Sequence, residues 1–475
     1  MPRNPRLAAL ALAVALLAAP ADGATIAVTT DLDTDLADAL CSLREAIIAA
    51  NTDAPYRGCV AGSGADRIVF PLATPATILL GSDLPAITGT LKLQGPGADL
   101  LAVDGQDLWH LLEFTAFTDP LWLGVEGLTL TRGVGDYGGA IEVGSNHRLH
   151  LRQVRLLANT STNGGGALGI NATATRPAEA TLVECEIAGN EAAGPAGGGG
   201  VVLSGPGLTA RIEASTLADN RALHVNGAAG GLFLKEAELT IERSTLSGNS
   251  ANTNGGAILA RASTGPARLT LLDSTLVGNL ADADGSAAGD GGGLATQTSV
   301  TETLTLVLRN NVIAANEDPT APFAPDLHLP SVYLVDWQSA GFSLIGTVAG
   351  AETFVQTGAP NPDGDRVGTA AAPIDPRLEP LADNGGFAPT HRPILEATSP
   401  VIDQGSCPAA TGDQRGGAGG LGAGRIANLA AVPDGAGDGC DVGAFERLPV
   451  ARAASPLFSE AFEAGHLLLW SGETP

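Results

Sequence analysis

Six stretches of the chain repeat one arrangement of apolar and polar positions. They read LHLRQVRLLAN (149–159), ATLVECEIAGN (180–190), ARIEASTLADN (210–220), LTIERSTLSGN (239–249), LTLLDSTLVGN (269–279) and LVLRNNVIAAN (306–316). Aligned on the last residue, Leu151, Leu182, Ile212, Ile241, Leu271 and Leu308 share one column. Asn159, Asn190, Asn220, Asn249, Asn279 and Asn316 share another. The two columns are eight residues apart in every copy, while successive asparagines are 29 to 37 residues apart. A constant arc inside a variable period places the insertions outside the arc and marks a solenoid. Within 239–249, Leu239 and Ile241 alternate with polar neighbours, the period of a strand. Ser244, Leu246 and Asn249 follow in shifted parity, which predicts a bend near Glu242–Arg243 between two short strands. Thr245 then falls out of phase with the core column, and a charge placed there is expected to be mild.

After each asparagine comes a loop of variable length, a glycine pair and a third apolar run. These runs are GGAI (138–141 and 255–258), GGAL (165–168), GGL (230–232) and GGGL (291–294). Three strands and three turns per repeat make one coil of a parallel β-helix, in which like residues stack at about 4.8 Å. The leucine and isoleucine column becomes a core ladder. The asparagine column becomes a ladder at a turn, because asparagine tolerates a left-handed backbone and its amide reaches the neighbouring coil. Looser copies of the same grammar, GTLKLQGPG (89–97), LLAVDG (100–105) and LWLGVEGLTLTRG (121–133), extend the rod towards the N-terminus. The total is roughly nine or ten coils, a rod about 45 Å long at that rise.

One stretch departs from strand grammar. CSLREAIIAAN (41–51) carries Leu43, Ile47 and Ala50 on one helical face and opens on Ser42 and Glu45, a capping box. An open solenoid end exposes strand edges and core, so this helix is expected to be the N-terminal lid. A bridge from Cys41 to Cys59 would close a loop of about 18 residues, worth roughly 3 kcal/mol. Cys185 shares the column of Val154, Ser215, Ser244, Ser274 and Asn311, which should face inward. It is therefore expected to be a buried free thiol, with Cys407 and Cys440 as a second disulfide.

Composition narrows the setting. Arg3 and Arg6, the apolar run 7–19 and Ala19-Pro20-Ala21 read as an export signal with its cleavage site. The mature chain is thus expected outside the cytoplasm, where disulfides form. No later stretch is apolar enough to span a bilayer. A net charge of −26, with Lys92 and Lys235 the only lysines, argues against nucleic acid and anionic membranes as partners. A monomer is expected.

Residues 41–51 closely resemble the CSLREA domain of exported bacterial proteins. The glycine-pair runs, with LADN, LSGN and LVGN, are similar to the GGAI and FxxN repeats of polymorphic outer membrane proteins, with Leu or Ile in place of Phe. LADNGGFAPTHRPILEATSPVIDQGSC (381–407), GDQRG (412–416) and CDVGAFE (440–446) look like the region called choice-of-anchor Q, and 457–472 is similar to a short tail of exported proteobacterial proteins. The resemblance implies an all-β, right-handed parallel β-helix on or outside the surface of a Gram-negative-type bacterium, with no established activity. The implied division is a signal peptide (1–21), a cap (22–64), β-helix repeats (65–326), an anchor-Q-like region (327–447) and a tail (448–475). Only 29 residues follow Glu446, too few for the large membrane barrel of the polymorphic proteins.

β-Helices also host polysaccharide lyases and hydrolases. A hydrolase needs two carboxylates a few ångströms apart on one exposed face. No catalytic residue is assigned; the nearest candidates are Glu213 and Glu242, equivalent positions on adjacent coils. No cofactor is assigned, and calcium is the one metal for which candidates exist. They are Asp282, Asp284 and Asp290 in one loop, and Asp363 and Asp365 in NPDGDRVG (361–368). His147 and His150, three apart in a strand, face opposite ways and do not suit zinc. Asp383, Asp403, Asp413, Arg415 and Asp441 read as a turn and ion-pair network. The expected function is a non-enzymatic surface or secreted scaffold, adhesin-like, binding a glycan or a cell-surface partner. The alternative is a polysaccharide lyase or glycoside hydrolase.

Overall fold

Alternating inward side chains build stacks of parallel strands. A computed structural model describes residues 23–115, 120–195, 197–225, 229–286, 289–319, 325–329, 334–349, 360–406, 412–416 and 437–447. The first sheet has eleven strands, beginning with Thr25–Ala27 and Asp66–Val69 and ending with Leu304–Arg309 and Val335–Ser339. The second also has eleven, from Ala76–Leu79 to Arg366–Val367, and the third has nine, from Leu112–Phe114 to Val348–Ala349. A fourth stack, absent from the sequence reading, has five two-residue strands from Val134–Gly135 to Ser250–Ala251. Its strands follow the asparagine column directly. The chain is therefore an all-β solenoid with parallel pairing throughout its main sheets.

The core column is in the expected register. Leu151, Leu182, Ile212, Ile241, Leu271 and Leu308 pair in turn along the first sheet. None is more than 1% exposed. Each buried aliphatic side chain contributes about 1.5–3 kcal/mol relative to exposure. Cys185 lies in the inward column, fully buried, and its N–H donates to Ser215 Oγ at 3.0 Å. It is a free thiol, and burial pushes its pKa up to about 12.

Two columns of left-handed backbone turn each coil. The first lies between the first and second sheets, at Gln153, Glu184, Ala214, Arg243, Asp273 and Asn310, with φ from 48° to 54°. Arg243 is where the bend was expected. The second lies one residue before each ladder asparagine, at Ala158, Gly189, Asp219, Gly248, Gly278 and Ala315. The left-handed turn thus belongs to the preceding residue, and the ladder asparagines themselves do not adopt it. Their task is hydrogen bonding. In Asn220, for example, the backbone N–H and Nδ2 both donate to Asn249 Oδ1, at 3.1 and 2.8 Å, while Nδ2 also donates to Ile187 O at 2.9 Å. The same pattern joins Asn159 to Asn190, Asn190 to Asn220, Asn249 to Asn279 and Asn279 to Asn316.

The helix Leu43–Thr52 caps the N-terminal end. Ser42 Oγ accepts from the Glu45 N–H, and the Ser42 N–H donates to Glu45 Oε2 at 2.9 Å, a complete capping box. Asp53, left-handed, ends the helix. Leu43, Ala46 and Ile47 are buried towards Thr25–Ala27 and Asp66–Val69. The disulfide Cys41–Cys59 holds the helix entry to the segment that follows it.

Solenoid strands continue past residue 326, through Val335–Ser339, Leu344–Ile345, Val348–Ala349 and Arg366–Val367. The chain then turns back and runs along the outer face of the second sheet as a strap. Thr216 Oγ1 donates to Pro389 O at 2.6 Å, Thr245 Oγ1 to Gln414 Oε1 at 2.5 Å, and the Ala444 N–H to Thr275 Oγ1 at 3.0 Å. Val312, Ala314 and Leu344 form an apolar seam with Val401, Ile402 and Val442. This corrects one expectation. Thr245 does point away from the core, but the strap buries it completely, so a charge there would not be mild.

Candidate functional site

Glu213 and Glu242 are direct partners on neighbouring strands of the first sheet. Period-2 alternation turns both outward, and Arg211, two residues before Glu213, shares that face. One Arg211 nitrogen lies 2.8 Å from Glu213 Oε2 and 2.7 Å from Glu242 Oε2. Arg243, at the left-handed bend, pairs with Glu213 Oε1 and stands 3.6 Å from Glu242 Oε1. All four carboxylate oxygens therefore face a guanidinium. Both acids are thus engaged in ion pairs in this structure. The cluster is a charge clamp between two coils. Asp273 and Arg309 repeat it further along at 2.5 Å.

The calcium candidates do not converge. Asp282 is buried and accepts from Ser286 Oγ at 3.4 Å, Asp284 is exposed and accepts from the Ser286 N–H, and Asp290 lies 3.4 Å from His328 Nδ1. Asp363 is exposed, and its N–H donates to Asn361 Oδ1. Asp365 is buried and accepts from Ser339 Oγ at 2.5 Å and the Ser343 N–H at 2.9 Å, which ties the last turn to the coil beneath. Burial raises its pKa. Among the described residues, no group of three or more His, Cys, Asp or Glu side chains could hold a metal.

The variable loops start at the bonded asparagine ladder and end at stacked glycine-pair turns, where Gly138 bridges Gly165 and Gly198 bridges Ala229. Both ends of successive loops are thus aligned, and the loops form a ridge along one side of the rod. Five residues separate Asn159 from Gly165 and twelve separate Asn279 from Gly292. Neighbouring loops are tied together. Thr162 and Asn163 donate to the Asp136 carboxylate, at 2.6 and 2.5 Å, and hold its pKa below the ordinary range. Asn252 Nδ2 donates to Leu223 O. Val225, on the same ridge, is 62% exposed.

The strap carries the network read from the sequence. Arg415 pairs with Asp413 at 2.5 Å and lies over the Phe445 ring. Asp441 accepts from the N–H groups of Asp403 and Arg447, and Asp383 closes a local turn with the Gly385 N–H. The docking of this network on the solenoid was not legible. Its residues are Gln414 and His391, the latter bonded to Glu379 O and Ser247 Oγ at 2.8 Å each. The one hint in the sequence is the small polar column Thr216, Thr245, Thr275, whose outward members have no reason to be uniform on an open surface.

Cys440 is buried within the strap; the pairing expected for it falls on Cys407, outside the described residues. No helix among the described residues is long and apolar enough to cross a membrane. No protein-family model matches the chain, and no curated protein matches it.

Proposed function

We propose that the chain is an exported, non-enzymatic β-solenoid scaffold, adhesin-like, whose loop ridge binds a glycan or cell-surface partner. The observation that carries this reading is the ridge: loops of unequal length, all anchored at both ends on one hydrogen-bonded frame. Rigid scaffolds with variable loops are where binding is concentrated, and length changes in such loops cost little stability. Export rests on the signal-like residues 1–21 and on the Cys41–Cys59 disulfide. The CSLREA-like and anchor-Q-like assignments rest on the motifs quoted above. The charge clamp weighs against the polysaccharide-cleaving alternative, because its two carboxylates are engaged in binding coils together.

Shortening 283–288, which leaves the buried Ala281 and Asp282 and the anchored Asp290 in place, to two glycines should leave the melting temperature nearly unchanged and abolish adhesion of protein-coated beads to the natural surface. Unchanged adhesion with an intact fold would move the binding face off the ridge. The enzymatic alternative is tested by release of reducing ends or 235 nm unsaturation from a polysaccharide panel with calcium. Activity that disappears in Glu213→Gln/Glu242→Gln would overturn the proposal.

A further inference from the structure

The asparagine ladder ends on a residue that departs from its chemistry. At the last step the acceptor is Asp326, whose Oδ1 takes the Asn316 N–H and Nδ2, each at 2.9 Å. An asparagine oxygen would serve there equally well, as it does at every earlier rung. The second oxygen, Oδ2, accepts from Thr347 Oγ1 at 2.9 Å. Asp326 is only 2% exposed, and the donors described around it are neutral. A buried carboxylate without a cation is costly, and burial pushes its pKa up to about 6.

Beside this carboxylate lies a cavity of about 400 Å³. Ala315, Pro325, Ala370, Pro373 and Ile374 give it an apolar wall, and Asp375 adds a second acid. Its size is within the range of small-molecule sites. The strongly negative chain raises the local concentration of cations. We propose that this cavity binds a small primary ammonium ion with a short aliphatic body, the charge set against Asp326 and the carbon chain against the Pro325–Ile374 wall. An acid at 326 offers Oδ1 to the ladder and Oδ2 to Thr347, and it supplies the negative charge that an ammonium ion would meet.

The test is calorimetric titration of the full chain with n-butylammonium chloride, with 1-butanol as the uncharged control. Butylammonium should bind at least about tenfold more tightly than butanol, the factor set by one charge-assisted contact. Asp326→Asn keeps the ladder acceptor and should weaken butylammonium by a similar factor. Should that variant melt early, Ile374→Trp fills the cavity from its apolar lining and should abolish binding. Equal affinity for the two ligands, unchanged binding in a folded variant, or heat with calcium chloride but none with butylammonium would each overturn the proposal. Nα-acetyl-lysine methylamide carries the same ammonium on a peptide. Tighter binding than butylammonium would identify a protein lysine as the source, and weaker binding a free amine.

Discussion

Replacing Asn249 by alanine removes several contacts from the middle of the ladder at once. Its Nδ2 donates to Leu217 O at 2.9 Å and to Asn279 Oδ1 at 2.8 Å. Its Oδ1 accepts from the Asn220 N–H at 3.1 Å and from Asn220 Nδ2 at 2.8 Å. Some partners keep a second bond: Asn220 Nδ2 still reaches Ile187 O, and Asn279 Oδ1 still accepts from the Asn249 N–H. The Asn220 N–H loses the acceptor on which it depends, in a site with no solvent exposure. A buried donor left unpaired costs about 1–3 kcal/mol, and each further lost bond about 1 kcal/mol net. The expected destabilisation is therefore about 4–6 kcal/mol, concentrated on the two adjacent coils, since solenoid coils couple to nearest neighbours. Amide hydrogen exchange reads it locally, at Asn220 and Ser250, and urea unfolding reads it globally. Because adjacent rungs share bonds, Asn249→Ala and Asn279→Ala together should cost less than their sum, whereas Asn249→Ala and Asn159→Ala should add. A single-site cost below about 0.5 kcal/mol, the level of an ordinary surface change, would refute the account, as would additivity of the adjacent pair.

Ile241→Asp should cost several kcal/mol by burying an unpaired charge. Thr240→Asp, outward on the open face of the same strand, should be nearly silent in thermal melts. Thr245→Asp should be costly although it faces away from the core, because the strap covers it; a melt equal to that of Thr240→Asp would remove the strap from this face. Thiol labelling should find no reactive cysteine in the native protein and one, Cys185, in the unfolded unreduced protein; two or more would contradict the Cys407–Cys440 pairing. Burial lowers the pKa of His391 below its ordinary 6.5. The folded state thus disfavours protonation, and the stability His391 supports is present above about pH 6.5 and lost as pH falls through its lowered value. His391→Asn should flatten the pH dependence of the melt in that window; an unchanged slope would show that His391 does not titrate there.

Much of the solenoid was legible because its forces repeat. Leu151 through Leu308 and Asn159 through Asn316 each solve one packing problem six times, and repetition fixes register even where loop lengths differ. The bend at Arg243 was readable as a parity shift. The left-handed residue at the second turn was not, because Ala158, Gly189, Asp219 and Gly278 share a conformation and no chemistry. The strap was hidden for a different reason. Its contacts, such as Gln414 to Thr216 and Thr245, join positions 198 and 169 residues apart once each, with no period to expose them. The charge clamp was half visible: the pairing of Glu213 with Glu242 follows from the repeat, while the Arg211 bridge depends on side-chain reach.

The strap also decides how the molecule would carry load. Arg447 is held to the strap through Asp441, at 2.6 Å, and Glu379, at 3.6 Å. Tension on any segment that follows Arg447 therefore enters sideways, through contacts at Thr216, Ser247, Thr275 and Val312 on successive coils. Such contacts are strained in parallel, as in shear, and must fail together. Pulling at the last coil alone would instead peel strands away one after another. Because the response to force is governed by the barrier to unfolding, a rod loaded across its flank should withstand pulling better than one held by its tip.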